Sequence, residues 1–222
     1  MSTAKLWIKL CGNTSLEDAQ LAADAGADAV GFVFAPSPRR VTPAQVAAIV
    51  PQLPTTLEKI GVFVDAPFAE IETAIQTSGL TGVQLHFAAP PDLPARLRAH
   101  FGPRLRILRV IHFDPMTVDA STSVMQDPNI DAVLVDSRTA SAVGGTGTSF
   151  DWITASKTLF KSTNSRERQL VAAGGLTPRN VAEAIATLRP WGVDAVSGVE
   201  ASPGRKDPAK VRAFIATARA AK

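Results

Sequence analysis

Several residue types and patterns are scarce in this sequence, and each scarcity excludes a class of protein. The chain has one cysteine in 222 residues, which excludes an intramolecular disulfide and any cysteine-based metal cluster. It has no tyrosine, 6% aromatic residues and no stripe of basic residues, so it lacks the features of a nucleic-acid-binding protein. No apolar run approaches the roughly 18 residues that a membrane-spanning helix needs. We therefore expect no metal site, no nucleic-acid partner and no membrane span.

The rest of the composition is that of a globular protein. Hydrophobic residues make up 45% of the chain and charged residues 19%, with a net charge of only +3. The length is enough for one large domain with a full core, or for two small ones. The N-terminus leads straight into an apolar segment and lacks the pattern of a signal peptide, so we expect a cytoplasmic protein.

Apolar runs and helical patterns alternate eight times along the chain. The predicted strands are residues 6–11, 29–34, 59–64, 81–86, 105–111, 130–135, 169–173 and 194–197. The predicted helices are residues 15–26, 42–50, 67–78, 90–101, 116–125, 150–160, 177–188 and 207 to the alanine-rich end. Strands that alternate with helices require parallel crossovers, so the sequence predicts an α/β fold.

Eight strand–helix units in a chain of this length favour a closed (β/α)8 TIM barrel, formed as a single domain by residues 1–222. An open, doubly wound sheet with six strands is the usual alternative. Its dinucleotide-binding fingerprint, Gly-x-Gly-x-x-Gly after the first strand, is missing here. Gly145 and Gly147 lie late in the chain and lack the third glycine, so they are weak evidence for a nucleotide.

Two neighbouring strands near the end of the chain finish in small residues. Gly174-Gly175 follows the seventh strand, and Ser197-Gly198 ends the eighth. Backbone amides left bare at such ends bind phosphate groups, and in TIM barrels a phosphate site commonly follows strands seven and eight. The alternative is that these glycines only make tight turns.

Two candidate catalytic side chains end strands on opposite sides of the predicted barrel. Cys11 ends the first strand, where nearby helix N-termini would favour its thiolate. Asp136 follows the apolar run of the sixth strand. A lone cysteine is more often a small core residue, and such an aspartate also caps turns. A base and an acid that face each other across the barrel mouth suit an isomerisation that moves a proton between neighbouring atoms.

Other polar residues are placed near the same end of the barrel. Arg39 and Arg40 follow the second strand, and an arginine there binds a carboxylate in bidentate fashion, although a solvated surface pair is the alternative. His86 and His112 end the fourth and fifth strands, where we expect hydrogen-bonded structural roles.

The alternation of side chains along the first strand gives a further prediction. If Cys11 points into the barrel, Trp7 and Lys9 do so as well, while the residues between them face the helices. A lysine inside a barrel needs a partner, and Asp194 on the adjacent eighth strand is the candidate. We predict an ion pair between Lys9 and Asp194 with a structural role.

The motifs of the chain, taken in order, resemble those of the phosphoribosylanthranilate isomerase family. The matching segments are Trp7-Ile8-Lys9-Leu10-Cys11-Gly12-Asn13, Gly26-Ala27-Asp28-Ala29-Val30-Gly31-Phe32-Val33-Phe34, Ser37-Pro38-Arg39, Gly61-Val62-Phe63-Val64, Val83-Gln84-Leu85-His86, Leu134-Val135-Asp136, Gly144-Gly145-Thr146-Gly147, Phe150-Asp151-Trp152, Ala173-Gly174-Gly175-Leu176, Ser197-Gly198-Val199-Glu200 and Pro203-Gly204-Arg205-Lys206-Asp207. The resemblance covers essentially the whole chain, and the motifs together are specific.

The resemblance implies an Amadori rearrangement in tryptophan biosynthesis, with a small phosphoribosyl compound as substrate and without a metal or organic cofactor. It implies that Asp136 is the general acid, Cys11 the general base, and Arg39 the ligand of the anthranilate carboxylate. It places the phosphate at the amides of Gly174, Gly175, Ser197 and Gly198, with the loop of Gly145 and Gly147. We expect a monomer or a homodimer, and we expect residues 137–149 to close over the substrate.

The chain departs from the family pattern at three positions, and three other functions compete. Phe87 replaces a usual glycine, Val196 a usual serine and Arg40 a usual aromatic residue. Because of the last change, both Arg39 and Arg40 are candidates for binding the anthranilate carboxylate. The histidine-pathway isomerase would need an aspartate in place of Cys11, and indole-glycerol-phosphate synthase would need lysine and glutamate on early strands. A non-catalytic phosphosugar-binding barrel would keep the glycine ends without the pair of Cys11 and Asp136.

Overall fold

The architecture is a closed barrel of eight parallel strands with a helix after each strand. A computed structural model describes residues 5–86, 89–113, 122–136, 152–162 and 169–221. Within them the strands follow one another around the barrel in chain order, and the eighth pairs with the first. The strands are Trp7–Leu10 (β1), Ala29–Val33 (β2), Glu58–Phe63 (β3), Gly82–Leu85 (β4), Arg106–His112 (β5), Ala132–Asp136 (β6), Gln169–Ala173 (β7) and Gly192–Ala195 (β8). The predicted fold class is confirmed.

The helices lie outside the barrel, and several begin at the predicted caps. They are Leu16–Asp24 (α1), Pro43–Ile49 (α2), Phe68–Ser78 (α3), Leu93–Phe101 (α4), Thr122–Gln126 (α5), Trp152–Ser162 (α6), Val181–Leu188 (α7) and Pro208–Ala220 (α8). Thr42 and Gln45 form a reciprocal capping box at α2, and the Asp207 carboxylate accepts from two amides of α8. Among the described residues, no helix has the length and apolar character needed to cross a membrane.

The chain after β7 differs from the prediction in three places. The helix α7 begins at Val181 rather than at Thr177, because Asn180 accepts a hydrogen bond from the Thr177 amide and holds those residues in a turn. The strand β8 ends at Ala195, and Ser197–Val199 forms a single 3-10 turn. A short antiparallel hairpin that was not predicted then follows, formed by Glu200–Ser202 (β9) and Arg205–Lys206 (β10).

Side-chain alternation along β1 divides the core into two apolar layers, as predicted. Trp7 belongs to the cluster that fills the barrel interior, with Leu108 and Leu134 from strands across the ring. Ile8 and Leu10 belong to the larger cluster between the strands and the helices. Lys9 is fully buried and points inward with Trp7. The interior below the barrel mouth is therefore packed, and the polar side chains collect at the C-terminal ends of the strands.

Candidate active site

Every predicted site residue that the structure describes lines one cavity of about 360 Å³ at the C-terminal mouth of the barrel. These residues are Cys11, Arg39, Asp136, Gly174, Gly175, Ser197 and Gly198. Gly145, Gly147 and Phe87 lie outside the described residues, as does the segment 137–149 that we expect to close over the substrate. The structure thus brings seven of the nine predicted residues together, and their individual roles stay predictions.

Cys11 lies immediately after β1, with its side chain turned into the mouth. Its amide donates to the Ala195 carbonyl oxygen at 2.9 Å, which continues the pairing of β1 with β8 past the last strand residue. Only 3% of the residue is exposed. Gly31 on β2 provides the room for the thiol, since a Cβ at Gly31 would lie 2.5 Å from the Cys11 Sγ. A glycine is therefore required beside the thiol.

Burial governs the acidity of Cys11. Removal from water raises the pKa of the Cys11 thiol; the Lys9 ammonium opposes this rise, the Asp194 carboxylate adds to it, and the Lys206 ammonium opposes it. The net pKa is above that of an ordinary cysteine, so the expectation that this position favours the thiolate is wrong for the free protein. At a site this deep, the loss of hydration outweighs the two nearby ammonium groups.

The predicted ion pair between Lys9 and Asp194 is confirmed. The Lys9 Nζ lies 3.0 Å from the Asp194 Oδ1, and the two residues face each other in register on β1 and β8. Their side chains are 0% and 5% exposed. Because Asp194 also lines the cavity with Cys11, the pair lies directly beneath the candidate base.

Asp136 is the last residue of β6 and is half-buried at the opposite wall of the cavity. It stands in register with His112 on β5 and with Ala173 on β7. The His112 ring lies 5.4 Å from that of His86, which also lines the cavity. A half-buried carboxyl group is accessible to a substrate in the cavity. Cys11 lines the opposite side of the same cavity.

Arg39 reaches the cavity, but its guanidinium already holds a carboxylate of the chain. Its Nε and Nη2 donate to the two carboxylate oxygens of Glu200 at 2.8 and 2.7 Å. Hydrogen bonding to Glu200 raises the pKa of Arg39 despite partial burial. Arg40 instead lines a separate groove with Phe63 and Thr73. Of the two arginines, Arg39 is thus the one placed to meet a substrate, through the edge of the guanidinium that Glu200 leaves free.

The sequence predicted no role for Glu200 and Lys206. Both residues belong to the hairpin β9–β10, which brings them close to Cys11. The Lys206 Nζ donates to the Cys11 carbonyl oxygen at 2.6 Å and lies 3.5 Å from the Glu200 Oε1. Burial lowers the pKa of Lys206, although Glu200 and Cys11 oppose that effect. Glu200 and Lys206 lie in two of the segments that resemble the isomerase family, and no other pattern in the sequence distinguishes them.

The segments Gly174-Gly175, after β7, and Ser197-Gly198, after β8, meet at one edge of the cavity. Gly174 and Gly175 have φ angles of 85° and 64°, a left-handed conformation that glycine adopts without strain. Gly198 has no room for a side chain, because a Cβ there would overlap the carbonyl oxygen of Leu176. The turn after β8 therefore packs directly on the loop after β7, and the backbones of both face the cavity.

The chain is similar to proteins of one family over almost its whole length. A family model described as N-(5'-phosphoribosyl)anthranilate isomerase matches residues 8–217. A relative of that name from Pelobacter propionicus is 44% identical over 96% of this chain and 95% of its own length. The chain belongs to this family. A second family member, from Geobacter sulfurreducens, is 41% identical over 96% of this chain and 98% of its own.

Solved structures of the isomerase family share the fold along nearly the whole chain. A crystal structure of phosphoribosyl anthranilate isomerase from Thermotoga maritima superposes with a TM-score of 0.84 at 34% identity, covering 96% of this chain and 98% of that one. Another family structure, in complex with reduced 1-(o-carboxyphenylamino)-1-deoxyribulose 5-phosphate, gives a TM-score of 0.80 at 33% identity with the same coverage. The histidine-pathway isomerase and indole-glycerol-phosphate synthase are therefore not the family of this chain.

Proposed function

We propose that this chain converts N-(5'-phosphoribosyl)anthranilate into 1-(2-carboxyphenylamino)-1-deoxyribulose 5-phosphate, a step of tryptophan biosynthesis, by general acid–base catalysis with Asp136 and Cys11. Membership of the isomerase family supports the reaction. One observation carries the assignment of residues. Cys11, directly after β1, and Asp136, at the end of β6, line the same cavity. The segments Gly174-Gly175 and Ser197-Gly198, which we propose bind the phosphate, line it between them.

The two residues divide the reaction into two proton transfers. The Asp136 carboxyl gives a proton to the furanose ring oxygen as the bond from that oxygen to C1' breaks, which leaves an open-chain iminium cation. The iminium charge makes the hydrogen on C2' acidic, and the Cys11 thiolate removes it. The resulting enolamine rearranges to the ketone by gaining a proton at C1' and losing one from the C2' hydroxyl. The starting protonation states of Cys11 and Asp136 return by exchange with water.

The high pKa of Cys11 fits this order of events. In the free protein burial disfavours a negative charge on sulfur. The iminium formed by ring opening brings a positive charge next to the thiol, which favours the thiolate when the base is needed. A base that becomes ionised only beside the cation is also protected from side reactions between turnovers.

The remaining cavity residues hold the two charged ends of the substrate. The free edge of the Arg39 guanidinium binds the anthranilate carboxylate, and the amides near Gly174, Gly175, Ser197 and Gly198 bind the phosphate. The loop that contains Gly145 and Gly147 is proposed to complete the phosphate site. The monomeric or homodimeric state, the single-domain organisation of residues 1–222 and the cytoplasmic location stay predictions; one family structure, from Thermotoga maritima, concerns a dimeric isomerase and monomers made from it.

The test is turnover of freshly prepared phosphoribosylanthranilate, followed by the loss of its fluorescence when protein is added. The proposal predicts a loss that is proportional to protein concentration and that requires Asp136. Binding of inorganic phosphate without fluorescence loss would instead favour the non-catalytic phosphosugar-binding barrel and overturn the proposal.

A further inference from the structure

A fully buried ammonium lies directly beneath the candidate base. Lys9 and Cys11 are two residues apart, so both side chains point into the barrel from neighbouring levels. The exposed fraction of Lys9 is 0%, and the Asp194 carboxylate holds its Nζ at 3.0 Å. Although burial lowers the pKa of Lys9, charge attraction to Asp194 and Cys11 and the hydrogen bond to Asp194 raise it by more, so the ammonium stays charged.

Other charges face Cys11 from three further elements. Lys206 on β10 holds the Cys11 carbonyl oxygen and contributes a second positive charge. Arg39, after β2, is near enough for its pKa to be raised by Cys11. Asp136 faces Cys11 across the cavity from β6. Of these groups, Lys9 is the one on the same strand face as Cys11, and its positive charge opposes the rise in the Cys11 pKa most strongly.

We propose that Lys9 is a positioning residue of the reaction, whose ammonium, fixed in place by Asp194, is the counterion of the Cys11 thiolate. This inference rests on the role of base proposed above for Cys11. The charges of a buried ammonium and its one carboxylate partner cancel, but the ammonium keeps N–H groups that the carboxylate does not use. Lys9 lies on the inward face of the first strand, the same face that carries the Cys11 sulfur, which must hold a negative charge during turnover.

A purely structural ion pair makes a different prediction. If Lys9 and Asp194 only stabilised the fold, replacing either residue would lower stability and leave the acidity of Cys11 unchanged or altered in the same direction. If Lys9 is the counterion, its removal disfavours the thiolate. Removal of the Asp194 charge frees the ammonium to act on sulfur alone, and this favours the thiolate. The two substitutions then shift the pKa of the Cys11 thiol in opposite directions.

The experiment is a pH titration of the thiol in Lys9→Met and Asp194→Asn proteins. Because the chain has one cysteine, the ultraviolet absorbance of the thiolate and the rate of alkylation by iodoacetamide both report on Cys11 alone. We expect the titration midpoint to rise by at least about one pH unit in Lys9→Met and to fall by a similar amount in Asp194→Asn. Shifts in the same direction, or no shift in either protein, would overturn the proposal.

A matched control comes from another buried lysine. Lys59 on β3 is 4% exposed, and its Nζ donates to the Pro54 carbonyl oxygen away from the cavity. Lys59→Met also removes a lysine side chain buried on a barrel strand, and it should leave the Cys11 titration where it is in the unsubstituted protein. If Lys9→Met does not fold, Asp194→Asn decides alone: Asn keeps the size and a hydrogen bond to Lys9, and a midpoint that fails to fall contradicts the proposal.

The outcome can be separated from that of the proposed function. The titration measures the thiol in the absence of substrate, so it does not depend on turnover. If Cys11→Ala kept full activity, the role of base would fail whatever the titration showed. If Cys11→Ala were inactive and the two midpoints did not move apart, only the role of Lys9 would fail.

Discussion

At the residue scale, the site is a set of charges that are held by one another before any substrate arrives. Arg39 is fixed by Glu200, Lys9 by Asp194, and Lys206 by the Cys11 carbonyl oxygen. Each of these contacts joins residues from different elements, and the Arg39–Glu200 pair spans 161 positions of the chain. Such fixed charges cost little reorganisation when a substrate binds, which is the condition for effective electrostatic catalysis.

Replacing Arg39 with alanine should weaken substrate binding while leaving the chemical step largely intact. One charge-assisted hydrogen bond contributes about 1.5–3 kcal/mol, so KM should rise by roughly 10- to 100-fold with a much smaller change in kcat. Arg40→Ala is the matched control, because Arg40 lines a separate groove, and its kinetics should equal those of the unsubstituted chain. Steady-state kinetics decide the matter, and a loss confined to kcat would contradict the assignment.

Alternation and strand order were enough to predict the residues that face each other across or along the barrel. Cys11, Lys9 and Asp194 follow from the parity of β1 and its pairing with β8. Glu200 and Lys206 did not follow, because β8 ends two residues earlier than predicted and the hairpin after it has no hydrophobic period. The acidity of Cys11 was misjudged because the depth of burial cannot be inferred from a strand end.

At the scale of elements, the loop after β7 and the turn after β8 act as one unit. Gly198 lies so close to the Leu176 carbonyl group that the two segments are in direct backbone contact. The hairpin β9–β10 is tied to the start of the chain as well, because the Thr14 hydroxyl donates to the Gly204 carbonyl oxygen at 2.7 Å. The cavity wall after β8 is thus fastened to the loops on both sides of it.

Gly198→Ala should separate the two segments and disturb the proposed phosphate site. A methyl group that overlaps a backbone carbonyl cannot be relieved by a rotamer change, and overpacking of this kind costs about 1–3 kcal/mol. We expect KM for the substrate to rise by at least about 10-fold. Gly102→Ala is the control, since it strains a backbone with a φ of 75° but places its Cβ where no atom lies within 4 Å. An unchanged KM in Gly198→Ala, measured beside that control, would count against the phosphate site.

At the scale of the whole molecule, Arg219 of α8 ties the end of the chain to Asp28, whose carboxylate also binds the first strand. The Arg219 Nη2 donates to the Asp28 Oδ2 at 2.6 Å, and the same carboxylate accepts from the Ile8 amide and from Lys5. Burial raises the pKa of Asp28, but the hydrogen bonds from Lys5, Arg219 and Ile8 outweigh it, and the pKa is lowered. Eight strand–helix alternations predicted the ring, whereas this fastening of its two ends depends on contacts that no local pattern encodes.

The lowered pKa of Asp28 has a consequence for stability in acid. A carboxyl group whose folded pKa is below its unfolded value of about 3.9 stabilises the fold above that value, and the contribution is lost as the pH falls through the folded pKa. Asp28→Asn should therefore lower the free energy of unfolding at pH 7, and the difference from the unsubstituted chain should shrink below about pH 4. Urea unfolding at both pH values measures this, and a difference that grows in acid would be inconsistent with it.

The proposed reaction depends on one base and one acid acting across the same cavity. General acid and general base contributions are each worth about 10²- to 10⁴-fold. The most direct measurement is kcat for Cys11→Ala and Asp136→Asn with phosphoribosylanthranilate as substrate. The proposed mechanism predicts that each substitution lowers kcat by at least about 10²-fold with a smaller effect on KM. A kcat close to that of the unsubstituted chain in either protein would contradict it.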